Sequence, residues 1–399
     1  MNWLATQIPP HWQLADLGSL CEVGIGRTPS RDRPEYWGAG VPWLSIADMS
    51  QGHDLLHTKE QITQVGFAAS KCKLTPAGTV LLSFKLSVGK VGITRVPLCT
   101  NEAIASLSIR DDNQLSADYL YWALRSMNLT LGLNRAAMGA TLNKAKLQHL
   151  RIPVPPLPEQ RRVAAILEVA EELRTKRRAA IAQLDTLAQS IFLEMFGDVR
   201  LSHKWPTARL GEAADIITGY PFSSGDYVTE PNEMRLCRGA NVLPGRIEWA
   251  DVALWPRARA PEFAEFVLRE KDIVVAMDRP WITEGFKIAQ VSVSDCPTLL
   301  VQRVARIRPP TGIASEYLYY VLRQPAFARH CRPTETTVPH ISPTELRNYE
   351  ISLPPANVQS AFTHRISMIE RLRSNAMASL SELDTLFASL QHRAFRGVL

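Results

Sequence analysis

A loop that cradles phosphates needs glycines ahead of a Gly-Lys-Ser or Gly-Lys-Thr, so that backbone N–H groups and one ammonium surround the anion. The one Gly-Lys in the chain, Gly89-Lys90, is followed by Val91. Zinc hydrolysis on a helix needs His-Glu-x-x-His, and acyl transfer on a nucleophile elbow needs Gly-x-Ser-x-Gly. Neither pattern occurs, and the histidines are scattered without ligand spacing. No lysine has an acidic residue two positions before it, which removes the Asp/Glu-x-Lys half of the commonest metal-dependent nuclease motif. The Pro-Pro pairs follow Ile8, Val154, Arg308 and Leu353, never the Asn or Asp found in methyltransferases that act on DNA amino groups. The chain therefore reads as having no active site and no cofactor of its own, and the chemistry left to it is binding.

The elements that would position binding residues come in two copies. The chain has 399 residues with 46% hydrophobic and 21% charged, enough for two or three domains with buried cores. Leu184-Asp185-Thr186-Leu187 recurs as Leu383-Asp384-Thr385-Leu386, an offset of 199. At that offset Pro155-Pro156 falls on Pro354-Pro355, Gln160 on Gln359, Glu171 on Glu370 and Arg174 on Arg373. Upstream, Tyr119-Leu120-Tyr121 matches Tyr317-Leu318-Tyr319, and Trp12 with Leu17-Gly18 matches Trp205 with Leu210-Gly211 at an offset of 193. The drift means that the second copy gained a few loop residues. Each copy is a globular segment followed by a helix, and a dozen ordered matches point to duplication.

Within each copy, Val80–Phe84 and Asp272–Ala276 are short apolar runs suited to buried strands. Residues 117–127 and 315–323 read as amphipathic helices whose Tyr and Leu face a core. Pro158 opens a long helix where a missing N–H costs nothing, and Gly197 closes it near Phe196. Val163, Ile166, Ala170, Leu173, Ala180, Leu184, Leu187 and Ile191 would form its seam. In the second copy the seam would be Phe362, Ile369, Leu372, Ala376, Leu383, Leu386 and Leu390. About 38 residues at ~1.5 Å each give a rod of roughly 55 Å. Such a helix needs a partner, and its own repeat copy, packed antiparallel, is at hand. The expected fold is α+β: globular domains at 1–157 and 198–355, with spacer helices at 158–197 and 356–399.

The formal net charge of +6 suits a polyanion partner without demanding one. The six cysteines carry no C-x-x-C pair, which fits buried thiols in a reducing cytoplasm. No stretch approaches the ~18 consecutive apolar residues of a membrane span, and residues 1–10 do not read as a secretion signal.

The segment Leu150-Arg-Ile-Pro-Val-Pro-Pro-Leu-Pro-Glu-Gln160, joining a globular domain to a long helix, resembles the specificity subunit of type I restriction–modification systems. Gly26-Arg27-Thr28-Pro29-Ser30, the Gly-Lys segment from Ser83 to Gly92, and Gly139–Asn143 before the join also look like that family, so the resemblance spans essentially the whole chain. The second join lacks the Glu, and Met277-Asp278-Arg279-Pro280-Trp281 stands where the first copy has its Gly-Lys loop. The resemblance implies a non-catalytic DNA reader that holds two methyltransferase subunits and admits restriction subunits. S-adenosylmethionine, Mg²⁺ and ATP would then belong to the partners. Each globular domain would read one half of a split, asymmetric site, and the helices would set the gap. Arg suits guanine, Asn suits adenine and Lys suits phosphate. On that basis Arg27, Arg31, Lys85, Lys90, Arg135, Asn143 and Lys144 are the candidate DNA contacts of the first domain. Those of the second are Tyr220, Arg238, Asn241, Arg279, Trp281 and His340. Pro155, Pro156, Glu159, Gln160 and the outer helix faces are the candidate partner contacts.

Two other classes compete. A two-headed scaffold that does not read DNA would show no steep loss of duplex affinity with salt. A self-sufficient modification or cleavage enzyme would turn over DNA on its own with Mg²⁺ and S-adenosylmethionine.

Overall fold

The structure is a computed structural model that describes residues 8–85, 87–127, 129, 142–197, 204–331 and 339–399. By internal contacts the chain divides into two units. The first comprises residues 1–178 and 378–399, the second residues 179–377, so each takes a globular segment and part of both long helices.

In the first unit a five-stranded sheet runs in the order Cys21–Ile25, Ile104–Ile109, Val80–Ser83, Val91–Thr94, Asp54–Leu55. Val80 to Ser83 are buried on both faces, which is why that run reads as continuously apolar rather than alternating. A three-stranded sheet sets Trp37–Leu44 between Glu60–Ile62 and Cys99–Thr100, with Trp43 parallel to Cys99. The second unit repeats the plan with two four-stranded sheets. One runs Asp215–Thr218, Val304–Arg308, Ile273–Ala276, Ile288–Gln290. The other contains Met234–Cys237 parallel to Thr298–Leu300.

In each unit a tyrosine-rich helix packs on the sheet. Ala117–Ser126 buries Tyr119, Leu120, Tyr121 and Trp122; Ser315–Leu322 buries Tyr317, Leu318, Tyr319 and Tyr320. The buried phenols are satisfied alike: Tyr119 Oη donates to the carbonyl of Pro153 at 2.7 Å, and Tyr317 Oη to that of Ser352 at 2.8 Å. Of the cysteines, Cys296 is half-buried and the other five are buried. Burial pushes the thiols of Cys21, Cys99, Cys237 and Cys331 up to about 12.

The long helices span Leu157–Phe196 and Ala356–Ala394. They run antiparallel. In the first unit Arg174 Nε meets Asp384 Oδ1 at 2.7 Å and its guanidinium lies 4.2 Å over Phe387. In the second, Arg373 Nε lies 3.0 Å from Asp185 Oδ1, near enough for the charges but poorly aligned for a hydrogen bond, and Phe192 stacks edge-on to Phe362. The seam differs from the expected one at alternate positions. Its inward residues are Val163, Leu167, Ala170, Arg174, Arg177, Ile181, Leu184 and Ala188, a strict alternation of four and three. The second copy places Phe362, Ile366, Ile369, Arg373, Ala376, Leu380, Leu383 and Phe387 inward, each at the same offset of 199. Leu173, Leu187, Leu372 and Leu386 therefore lie outside, 48 to 57% exposed. The physical reason is the arginine. Arg174 and Arg373 bury their stems in the seam while reaching an aspartate on the opposite helix, and this turns their leucine neighbours outward. Among the described residues no helix is long and apolar enough to cross a membrane.

Candidate nucleic-acid interface

Each unit gathers its strand ends into one cluster of interlocked loops. In the first unit the Gly26 N–H donates to the carbonyl of Ile104 and the Arg27 N–H to that of Thr100. The Asn101 N–H donates to Leu44, the Phe84 N–H to Ala103, and the Leu142 N–H to Phe84. In the second unit the same ladder links Gly219 to Val304, Tyr220 to Leu300, Val301 to Cys237, Met277 to Arg303 and Ile341 to Met277. Glycine is required where the first strand leaves the sheet. A Cβ on Gly26 would lie 2.2 Å from the carbonyls of Thr100 and Asn101, and one on Gly219 would lie 2.3 Å from the Val301 backbone. Five loops thus converge in each unit, near residues 27, 46, 85, 102 and 142, and near 220, 239, 278, 302 and 340.

The expected contacts fall into three groups on this frame. Arg27, Lys144 and Arg279 are exposed on it or beside it. Arg279 has φ +44° and its neighbour in the cluster, Arg303, has φ +67°, a left-handed conformation uncommon for residues other than glycine. The Arg279 N–H is held by the carbonyl of Pro339 at 2.9 Å, and Asp278 bridges His340, so Arg279 and His340 share one loop pair. Tyr220 is 39% exposed at the rim of an aromatic cluster with Phe222, Phe263 and Phe266. Lys85 is half-buried, with Nζ 5.4 Å from the Phe84 ring.

A second group is committed within the protein. Arg31 pairs in bidentate fashion with Glu60 and stacks at 3.6 Å on Trp37. That bond holds the Glu60 carboxyl below its ordinary range. Arg238 Nη2 binds the carbonyl of Asp251 at 2.6 Å and its carboxylate at 3.0 Å. Asn143 caps the helix Lys144–Gln148 through the Lys146 N–H. Trp281 packs on Phe286 with ring centroids 5.4 Å apart. Lys90 Nζ donates to the carbonyl of Ile46 at 3.0 Å and to Ser50 Oγ at 2.8 Å. Arg135 lies outside the described residues.

The third group has a role other than the one expected. Asn241 is 1% exposed, and its amide is spent on the carbonyls of Glu248 and Asp251 and on the Arg238 N–H. It matches Asp48, also buried, which accepts from the Ser45 N–H at 2.9 Å. Both hold a loop from within and present no edge to a base. The partner candidates change likewise. Pro155 and Gln160 are buried and Pro156 is exposed. Glu159 is hydrogen-bonded to the indole of Trp12 at 2.7 Å. Gln160 Nε2 donates to the carbonyls of Gln114 and Pro155, while Oε1 accepts from the Ser116 N–H. Gln359 does the same with Pro354 and Ala314. The Pro-Pro-x-x-x-Gln join is thus a clamp on the start of the tyrosine-rich helix, because a buried backbone N–H needs a partner.

Sequence reading missed Asn101, Glu102, Gln302 and Arg303, which lie between the strands Cys99–Thr100 and Ile104–Ile109 and between Thr298–Leu300 and Val304–Arg308. It also missed Lys287, whose ammonium donates to the carbonyl of Gly239 as that of Lys90 does to Ile46. The signal was hidden by an insertion. Lys90 follows Phe84 by six residues, whereas Lys287 follows Met277 by ten, the extra residues forming the hairpin Trp281–Ile282 with Gly285–Phe286. The second copy therefore keeps a lysine although Met277–Trp281 replaces the Gly-Lys loop in its sequence. Among the described residues no group of His, Cys, Asp and Glu could hold a metal ion.

The family model of the type I restriction modification DNA specificity domain matches residues 9–183. The type I restriction enzyme MjaIX specificity subunit of Methanocaldococcus jannaschii is 22% identical over 92% of this chain and 89% of its own length. The EcoAI specificity subunit of Escherichia coli is 35% identical over 43% of this chain and 29% of its own. Among solved structures, the S subunit of the type I restriction–modification system from M. genitalium superposes with a TM-score of 0.59 at 15% identity, covering 98% of both chains. The family model over the first copy, the near-full-length relative and the fold agree with the duplicated frame: the chain is similar along its length to the specificity subunits of type I restriction–modification systems.

Proposed function

We propose that this non-catalytic specificity subunit directs its complex to a bipartite, asymmetric DNA site, with each loop cluster reading one half. The observation that carries this reading is the duplicated cluster: the same backbone ladder is built twice, yet the residues on it differ. Arg27 stands where the other copy has Tyr220, and Lys85 where it has Asp278. A frame kept while its side chains diverge is what two readers of two different half-sites require. Helices of 40 and 39 residues span roughly 60 Å each at ~1.5 Å per residue, far longer than one half-site, so a fixed unread gap separates the halves. In the first cluster the readers are Arg27 and Lys144. In the second they are Tyr220, Arg279, His340 and Arg303.

The partner surface is the outward apolar stripe of the helices rather than the Pro-Pro join. Val169, Leu173 and Leu386 in the first unit match Met368, Leu372 and Leu187 in the second, and all are exposed. Each unit offering an equivalent patch suits two methyltransferase subunits, one per patch, with restriction subunits joining them. S-adenosylmethionine, Mg²⁺ and ATP act in those partners, and the adenine must leave the duplex to be methylated there. The assembly works on DNA in the cytoplasm. Binding of the full chain to random duplex at two salt concentrations tests the reading. A steep loss of affinity with salt supports it, and salt-insensitive or absent binding refutes it.

A further inference from the structure

We propose that Lys90 and Lys287 are equivalent positioning residues that set which bases each unit accepts, by fixing the backbone of the loops 45–48 and 238–241 rather than by touching DNA. The proposal rests on the DNA-reading function above.

The two loops are one device. In each, the first N–H (Ser45, Arg238) is held by the buried side chain three residues on (Asp48, Asn241). The carbonyl of the second residue (Ile46, Gly239) is held by the lysine ammonium. The third residue is an exposed alanine, Ala47 or Ala240. The loop is also tied to its neighbour, through Asn101 to Leu44 and Val301 to Cys237.

The lysines are rooted in the central sheet. Each immediately precedes a strand, Val91–Thr94 or Ile288–Gln290. The carbonyl of Lys90 accepts from the Ser83 N–H at 2.9 Å, and that of Lys287 from the Ala276 N–H at 3.1 Å. A rigid strand thus reaches through its lysine to the middle of a loop whose two ends are joined by local hydrogen bonds. The bond is charge-assisted and roughly twice as strong as a neutral one. Lys287 is 7% exposed, so its ammonium cannot bind a phosphate without leaving Gly239. Burial also holds that ammonium below the ordinary lysine range. A cation buried against a single carbonyl, as at Lys287, is costly; half-buried Lys90 reaches the equivalent carbonyl with Ser50 Oγ as a second acceptor, and the shared contact, kept despite the insertion in one copy, marks it as a functional part of the frame.

The test uses the full chain assembled with its methyltransferase subunits and a pool of randomised duplexes, from which bound sequences are selected. Wild type gives both half-sites. Lys287→Met is expected to lose about tenfold discrimination at one or two adjacent positions of the second half-site while the first stays intact. Lys90→Met does the reverse. Lys287→Gln, which keeps an N–H donor, restores part of the discrimination. The slope of affinity against salt stays at the wild-type value, because no phosphate contact is lost. Unchanged half-sites in both variants overturn the proposal. So does uniform weakening with a salt slope reduced by about one, the mark of phosphate contacts. If Lys287→Met fails to fold, Lys90→Met, at the more exposed site, decides on the first half-site. A wild-type pool with no consensus overturns the DNA-reading function itself, and this inference with it.

Discussion

Replacing Gln160 by alanine separates a clamp from a partner contact. Gln160 is fully buried and makes three hydrogen bonds: to the carbonyl of Gln114 at 2.7 Å, to that of Pro155 at 2.9 Å, and from the Ser116 N–H at 2.9 Å. Truncation strands one N–H and two carbonyls. Each unsatisfied buried group costs about 1–3 kcal/mol. Gln114 lies at the surface, where water replaces the lost bond. The remaining two groups give an expected loss of about 2–6 kcal/mol from the first unit. Urea unfolding of the full chain, followed by tryptophan fluorescence, measures it, since Trp12 and Trp122 both lie in that unit. Pro156→Ala, at an exposed position of the same join, is the control and stays within about 0.5 kcal/mol of wild type. The reasoning is refuted if Gln160→Ala costs less than about 0.5 kcal/mol, and most plainly if that stable variant also fails to assemble with methyltransferase subunits.

Three further outcomes follow from the geometry. A double-mutant cycle on Arg174 and Asp384 yields a coupling of about 1 kcal/mol that shrinks with salt, because the pair is only part-buried; a coupling near zero would mean that Glu171 and Phe387 hold the arginine without the aspartate. Arg279→Ala alters or abolishes recognition of the second half-site and leaves the first, read by sequence selection; equal weakening on all sequences would make Arg279 a phosphate or structural residue. Leu173→Glu and Leu372→Glu, at positions 49% and 57% exposed, leave unfolding midpoints unchanged and cut assembly with methyltransferase subunits at least tenfold by co-purification; intact assembly would place the partner elsewhere.

Much of the architecture was legible because duplication writes itself into residue order. The shared Leu-Asp-Thr-Leu, Tyr-Leu-Tyr and Pro-Pro matches mark elements whose packing tolerates little change, and the apolar runs at residues 80 and 273 are buried strands. The seam was legible as a period but not in register. Alternating steps of three and four fit two neighbouring stripes, and hydrophobicity alone favours Leu173 over Arg174. Only the aspartate on the opposing helix, far away in sequence, reverses that choice. The join was visible as Pro-Pro and Gln, yet nothing local says that the Gln points inward, since the N–H it satisfies lies more than forty residues upstream. Residue type alone could not separate Asn241, which braces a loop from within, from Arg279, which a loop presents exposed. Lys287 was hidden because an inserted hairpin moved it out of step with Lys90.

The most direct test of the central claim is to co-express the chain with its methyltransferase subunits and map every modified adenine in the host DNA. One split motif, with two different half-sites and a constant gap, is the predicted result. A palindromic or continuous motif, or none with the methyltransferase shown to be present, would contradict it.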